Sequence, residues 1–189
     1  MGSDSFDISD EAVWNAWVSF RRGKKISREI MEFEVRLLDN LVDLKKDVVS
    51  GAYEHGHYRH IEIYEKKRRD LAVAPVRDRI VHRLLYKLLV EKFDKTFLYD
   101  VWSCRAGKGL IGCVNRTKDL FVRHRAGYFW RADVVKFFDH VQHSTLLHLL
   151  DRKIVDPIVR NLLGKVIASY AIENCKGGGR YESTRYTNW

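Results

Sequence analysis

Asp133-Val-Val-Lys-Phe-Phe-Asp-His-Val-Gln-His-Ser-Thr-Leu-Leu147 follows an apolar, aromatic run, Tyr128-Phe129-Trp130, and precedes a helical pattern. The spacing predicts a buried strand through Ala132, with Asp133 at its exit and Ser144 at the cap of the next helix. Taken alone, an ordinary Asp capping a turn gives the same pattern. Asp139 and His143 read as structural, Asp139 ordering the turn and His143 standing near the following helix start.

Outward from this stretch the periods are mostly helical. Val13, Trp14, Trp17 and Phe20 recur at helical spacing after Ser9, a cap residue. Trp14 and Trp17 read as core rather than as base-stacking platforms. Ile30, Phe33, Leu37, Leu41, Leu44 and Val48 predict one long amphipathic helix from Ser27 to Val49, closed by Gly51. The period then shortens. Ile61 and Ile63, then Leu71 and Val73, alternate on either side of Lys66-Lys67-Arg68-Arg69, which predicts a β-hairpin with a basic tip. Pro75 opens a helix that runs to about Phe97. Residues 99 to 109 form a loop, and helices are expected over 110 to 125, 144 to 152 and 157 to 171, the last started by Asp156-Pro157. There is no internal repeat and no long linker. The expected class is α+β with helices dominating.

The composition is globular, with 46% hydrophobic and 31% charged residues in a chain of 189. A net charge of +9 favours a polyanionic partner, nucleic acid ahead of membrane. Cys104, Cys113 and Cys175 are too few and wrongly spaced for a zinc site, and their odd number argues against a disulfide framework. A reducing cytoplasm fits. The acidic N-terminus, Met1 to Asp10, lacks the apolar core of a signal peptide, and no run reaches the roughly 18 apolar residues a membrane span needs. His55, His57 and His60 match no established zinc spacing and read as a polar loop entering the hairpin.

Two further blocks carry chemistry. The first is Tyr64-Glu-Lys-Lys-Arg-Arg-Asp-Leu-Ala-Val-Ala-Pro-Val-Arg-Asp-Arg-Ile-Val-His82, where guanidinium forks and ammonium point charges suit phosphate oxygens. Within it, Arg77, Asp78 and Arg79 read as a salt-bridged helix start. The second is Phe97-Leu-Tyr-Asp-Val-Trp-Ser-Cys-Arg-Ala-Gly-Lys-Gly109, whose glycines allow close backbone approach and whose Arg105 and Lys108 suit phosphate. It is not a Walker loop, because Gly-x-x-x-x-Gly-Lys-[Ser/Thr] is absent.

Together with residues 133 to 147, these ordered blocks resemble the bacterial reverse transcriptases of the group II intron, retron and diversity-generating kind. The first resembles their fingers hairpin, the second their F-x-x-x-S-[YF]-[AG]-x-R-x-G-[KR]-G block, and the third their motif A, D-[VI]-x-x-F-F-D-x-[IV]-x-H-x-x-L. Trp102 stands where that family has Tyr or Phe, and Ser103-Cys104 replaces its small pair.

The resemblance implies the fingers and incomplete palm of a right-hand polymerase over residues 51 to 179, behind a helical extension over residues 1 to 50. It implies RNA-directed DNA polymerisation with two Mg²⁺ ions, an RNA template, a DNA primer and deoxynucleoside triphosphates. Asp133 becomes the first metal ligand, and the carbonyl of Val134 a helper at the triphosphate-bound ion. Phe138 falls at the steric gate that excludes a 2′-hydroxyl. Lys67 and Arg69 fall on the hairpin over the incoming triphosphate, with Lys66 and Arg68 as solvated neighbours. Arg79, Arg105 and Lys108 become nucleic-acid contacts.

The chain departs from the family after residue 171. Neither the family's G-[IL]-P-[IQ]-G motif B nor its Tyr-x-Asp-Asp motif C occurs before Trp189. Back-translated codons for Arg180 to Trp189, read from their second base, permit Gly-Met-Asn-Pro-Pro-Gly-Ile-Pro-Ile-Gly. The expectation is a frameshifted tail over residues 180 to 189, and a chain that does not polymerise alone. Two other classes stand beside this one: a non-catalytic RNA-binding protein derived from the fingers, and a scaffold whose cut palm sheet leaves an edge prone to aggregate.

Overall fold

The computed structural model describes residues 6–64, 68–135 and 137–176. Helix α1, Asp10–Arg21, starts where Ser9 Oγ accepts from the Ala12 amide at 3.2 Å. Its Val13, Trp17 and Phe20 are buried, as their spacing predicts. Trp14 differs: it is 44% exposed, because the helix turns it away from the Trp17 stripe.

The single long helix expected from Ser27 is two helices, α2 at Arg28–Val35 and α3 at Leu37–Ser50. Arg36 leaves helical geometry at φ −123° and ψ 43°. There Asn40 Nδ2 donates to the Phe33 carbonyl at 2.9 Å, a side-chain bond that competes with the helix ladder. The apolar period runs on across the break, so periodicity alone does not reveal it. Gly51 ends α3 in the left-handed region at φ 75°. Its carbonyl accepts from Lys165 Nζ at 2.8 Å. Gly51→Ala is expected to destabilise the protein by about 1–2 kcal/mol, since a Cβ disfavours that φ. Thermal denaturation of the variant against the parent measures it.

Strands β1, Arg59–Tyr64, and β2, Arg68–Val73, form an antiparallel hairpin with Ile61 opposite Leu71 and Ile63 opposite Arg69. Helix α4, Val76–Phe93, begins directly after Pro75 and passes into a 3₁₀ turn at Asp94–Thr96. It therefore stops short of Phe97. Helices α5, Leu110–Arg123, α6, His143–Asp151, and α7, Pro157–Lys176, complete the order. Ser144 lies inside the first turn of α6, and the cap position belongs to Gln142. Asp156 starts α7: its Oδ1 accepts from the amides of Ile158 at 2.8 Å and Val159 at 3.3 Å.

The strand expected through Ala132 is absent. Residues 127–134 are irregular, and Tyr128, Phe129 and Trp130 are exposed, Trp130 by 89%. A strand forms only against a partner ladder, and among the described residues none pairs with this segment.

The chain divides into a larger unit, formed by the described parts of 1–88 and 142–189, and a smaller one, 89–141. The larger unit holds the core: Phe20, Leu44, Val48, Ile80, Val81, Leu84, Val159 and Leu162 are all buried. Among the described residues, none of the buried hydrophobic ones belongs to the smaller unit. Among the described residues no helix is long and apolar enough to cross a membrane.

Candidate functional site

Among its described residues the hairpin carries Arg59, Arg68 and Arg69 beside Glu62 and Asp70. Its register puts Arg59, Ile61, Ile63, Arg69, Leu71 and Val73 on one face, and His60, Glu62, Tyr64, Arg68, Asp70 and Ala72 on the other. Arg69 is exposed on β2. Lys66 and Lys67 fall outside the described residues. Glu62 and Asp70 face each other across the ladder, an unfavourable pair of like charges. Arg68 offsets it by bonding Glu62 and approaching Asp70 at 3.8 Å.

The hairpin root is clamped to α4 by Asp78, which is 1% exposed. Its Oδ1 accepts from the Tyr53 hydroxyl at 2.7 Å, and its Oδ2 accepts from the Gly56 amide at 3.0 Å. Burial first, and then the bond to Asp78, push the Tyr53 phenol far above its ordinary range, so Tyr53 stays a donor. Only glycine fits at position 56, since a Cβ would meet Pro75 Cγ at 2.9 Å and Asp78 Oδ2 at 3.0 Å. His55 stacks between Tyr58 and His82, with ring centroids 4.8 Å and 5.3 Å away. Lys165 of α7 donates to the carbonyls of Gly51 and Tyr53 and to Glu54 Oε1, at 2.8, 2.7 and 2.7 Å.

Arg77 and Asp78 and Arg79 do not pair with one another in these bonds. Arg77 bonds Asp47 of α3. Arg79 Nη2 donates to Glu29 Oε2 at 2.9 Å and its guanidinium lies 5.0 Å from the centre of the Phe20 ring. Glu29 Oε1 also accepts from the Val76 amide at 2.7 Å, so α2 supplies the cap of α4. Arg79 is thus held within the protein by Glu29 and Phe20. Sequence reading gives the triplet as a salt-bridged helix start that fixes the hairpin, but not its partners Tyr53, Gly56, Asp47 and Glu29. The only local signal was the Arg-Asp-Arg run itself, and it names no partners.

In the smaller unit, the loop before α5 is tied by the two cations that the sequence singles out. Arg105 Nε donates to Asp94 Oδ1 at 2.7 Å, and Nη2 donates to Oδ2 at 3.2 Å. Its Nη1 reaches the carbonyls of Leu98 and Val101 at 3.1 and 3.3 Å. Lys108 Nζ donates to the Tyr99 carbonyl at 2.7 Å and lies 3.6 Å from the Tyr99 ring centre and 4.2 Å from that of Trp102. Arg116 of α5 pairs with Asp100 at 2.9 Å. The bonds from Arg105 and Arg116 hold Asp94 and Asp100 below the usual carboxylate range. The loop therefore closes on itself around its own cations.

Asp133 and Val134 lie exposed on the irregular segment of the same unit. Phe138 follows in a 3₁₀ turn, Phe137–His140, 82% exposed, with the Phe137 ring edge-on at 5.5 Å. The Asp139 side chain falls outside the description. Among the described residues no group of three His, Cys, Asp or Glu side chains gathers into a metal site. Asp133, Val134, Phe138, Arg105 and Lys108 share the smaller unit, whereas Arg69 and Arg79 belong to the larger one.

Over 134 residues, 69% of the chain, the protein is 25% identical to the COX1/OXI3 intron 2 protein of Saccharomyces cerevisiae. The match spans 16% of that protein. No protein-family model matches the chain.

Proposed function

We propose that this chain is a fingers and first-palm segment of an RNA-directed DNA polymerase of the reverse-transcriptase type, tied to an intron or a related retroelement. The observation that carries the reading is the ordered set of three blocks at 64–82, 97–109 and 133–147. The similarity to a yeast intron protein supports the intron link. An exposed basic hairpin and a net charge of +9 suit an RNA template, a DNA primer and deoxynucleoside triphosphates.

Asp133 and the Val134 carbonyl are the donors this reading gives to Mg²⁺. Bound in a complete site, the two ions neutralise charge on the transferring phosphate. One exposed carboxylate does not make such a site, since a pair of ions needs bridging carboxylates. The part this chain plays is to bind: Lys67 and Arg69 meet the triphosphate, and Arg79, Arg105 and Lys108 border the nucleic acid. For Arg79, Arg105 and Lys108 this requires exchange of the internal partners described above.

The test is a primer-extension assay with the purified 189-residue chain, run beside a salt titration of RNA binding. No RNA-templated incorporation is expected. RNA binding is expected to weaken with salt, with a log–log slope of about −0.7 per neutralised phosphate, and Arg69→Ala is expected to make it shallower. Incorporation by this chain overturns the expectation that it is inactive alone. Salt-independent or absent RNA binding overturns the functional reading. Salt-dependent binding unchanged by loss of Lys67 or Arg69 favours a diffuse, non-catalytic RNA-binding protein.

A further inference from the structure

His55 lies on the loop that feeds β1, and His82 lies one turn beyond Asp78 on α4. Their Nε2 atoms are 3.3 Å apart. His55 Nδ1 is 2.7 Å from the Gly56 carbonyl, which only accepts, so Nδ1 carries a proton. In the neutral pair His55 Nε2 is therefore the acceptor, and His82 Nε2–H donates to it. A first added proton leaves one N–H between the rings, because either ring can be the donor. A second proton puts two N–H groups face to face, and the contact is lost.

We infer that this pair is a proton-operated latch, which holds the loop at the hairpin root against α4 and releases it when both imidazoles are charged. The latch belongs to the fold and does not rest on the polymerase reading. Tyr53 and Tyr58 face it from the loop, Asp78 and Arg79 from α4, and Tyr170 of α7 meets Tyr58 edge-on. Asp78 Oδ2 lies 3.9 Å from His55 Nδ1. Burial, then the neighbouring His55, and also Arg79, oppose charge on His82 and hold it below the ordinary histidine range, against the pull of Asp78.

The sign follows from proton counting. Released, both imidazoles are free to take a proton as pH falls through the ordinary histidine range near about 6.5, whereas the closed contact survives only while the rings share one N–H. Opening is thus disfavoured above that pH. It grows about tenfold per pH unit as pH falls below it, until the closed pair takes its second proton. The Gly56 amide, bonded to Asp78, reports the opening directly.

Hydrogen exchange at Gly56 in the full chain tests this, with protection factors corrected for intrinsic exchange and measured between pH 7.5 and 5. Protection is expected to be constant above pH 7 and to fall about tenfold per unit below 6. His82→Gln keeps an N–H toward His55 Nε2, does not titrate, and can turn its carbonyl toward a protonated His55. It is expected to flatten the profile. A flat profile in the parent, or the same slope in His82→Gln, overturns the latch. Should His82→Gln not fold, imidazole nitrogen shifts of the parent decide instead. Two separated titration steps support the latch, and two independent ordinary histidines overturn it.

Discussion

Asp78→Ala is expected to lower the stability of the protein by about 3–5 kcal/mol. The carboxylate is buried and accepts two hydrogen bonds, from the Tyr53 hydroxyl and the Gly56 amide. Bonds to an ionised acceptor contribute about 1.5–3 kcal/mol each, and the alanine takes the acceptor from the buried Tyr53 hydroxyl and from the part-buried Gly56 amide. Native domains are stable by only about 5–15 kcal/mol, so the variant approaches its unfolding limit at room temperature. Asp78→Asn retains an oxygen for Tyr53 but sets an amide N–H against that of Gly56, and falls between the two. Urea denaturation of the three proteins measures the series. A loss under 1 kcal/mol for the alanine would show that the clamp at the hairpin root contributes little.

Phe20→Ala is expected to cost about 3–5 kcal/mol, the range for truncating a buried aromatic ring. Phe20 is 1% exposed and packs 5.7 Å from the Trp17 ring, with the Arg79 guanidinium 5.0 Å from its own centre. The same ring therefore belongs to the N-terminal helices and to the helix after the hairpin. Phe20→Leu keeps most of the volume and is expected to cost about 1.5 kcal/mol or less beyond the lost ring contacts. Equilibrium denaturation followed by tryptophan fluorescence distinguishes them. If the alanine variant is as stable as the parent, residues 1–50 are an appendage and not part of the core.

The elements that the sequence predicts well are those specified by neighbours in the chain. Ser9, Gly51, Pro75 and the Asp156-Pro157 pair mark helix ends by local chemistry, and the hairpin follows from alternation around a basic turn. What the sequence hides is specified by distant partners. Asp78 looks like one third of a charged helix start until Tyr53 and Gly56, 25 and 22 residues away, are brought to it. The caps of α4 come from Glu29, which no pattern near Val76 reveals. Tyr128 to Ala132 has the composition of a strand, but composition supplies no ladder partner. The two cations of the glycine loop are visible in sequence as phosphate binders, whereas Asp94 and Tyr99 occupy them.

Among the described residues the smaller unit contributes none of the buried hydrophobic ones, and this has a thermodynamic consequence. The slope of unfolding free energy against denaturant scales with the surface newly exposed. The described residues of 89–141 are at most half-buried, so the slope is weighted toward the larger unit. A denaturation curve of the whole chain then reads like that of a shorter protein. Trp17, buried in the core, changes its surroundings in the transition, while Trp130, 89% exposed, changes them little.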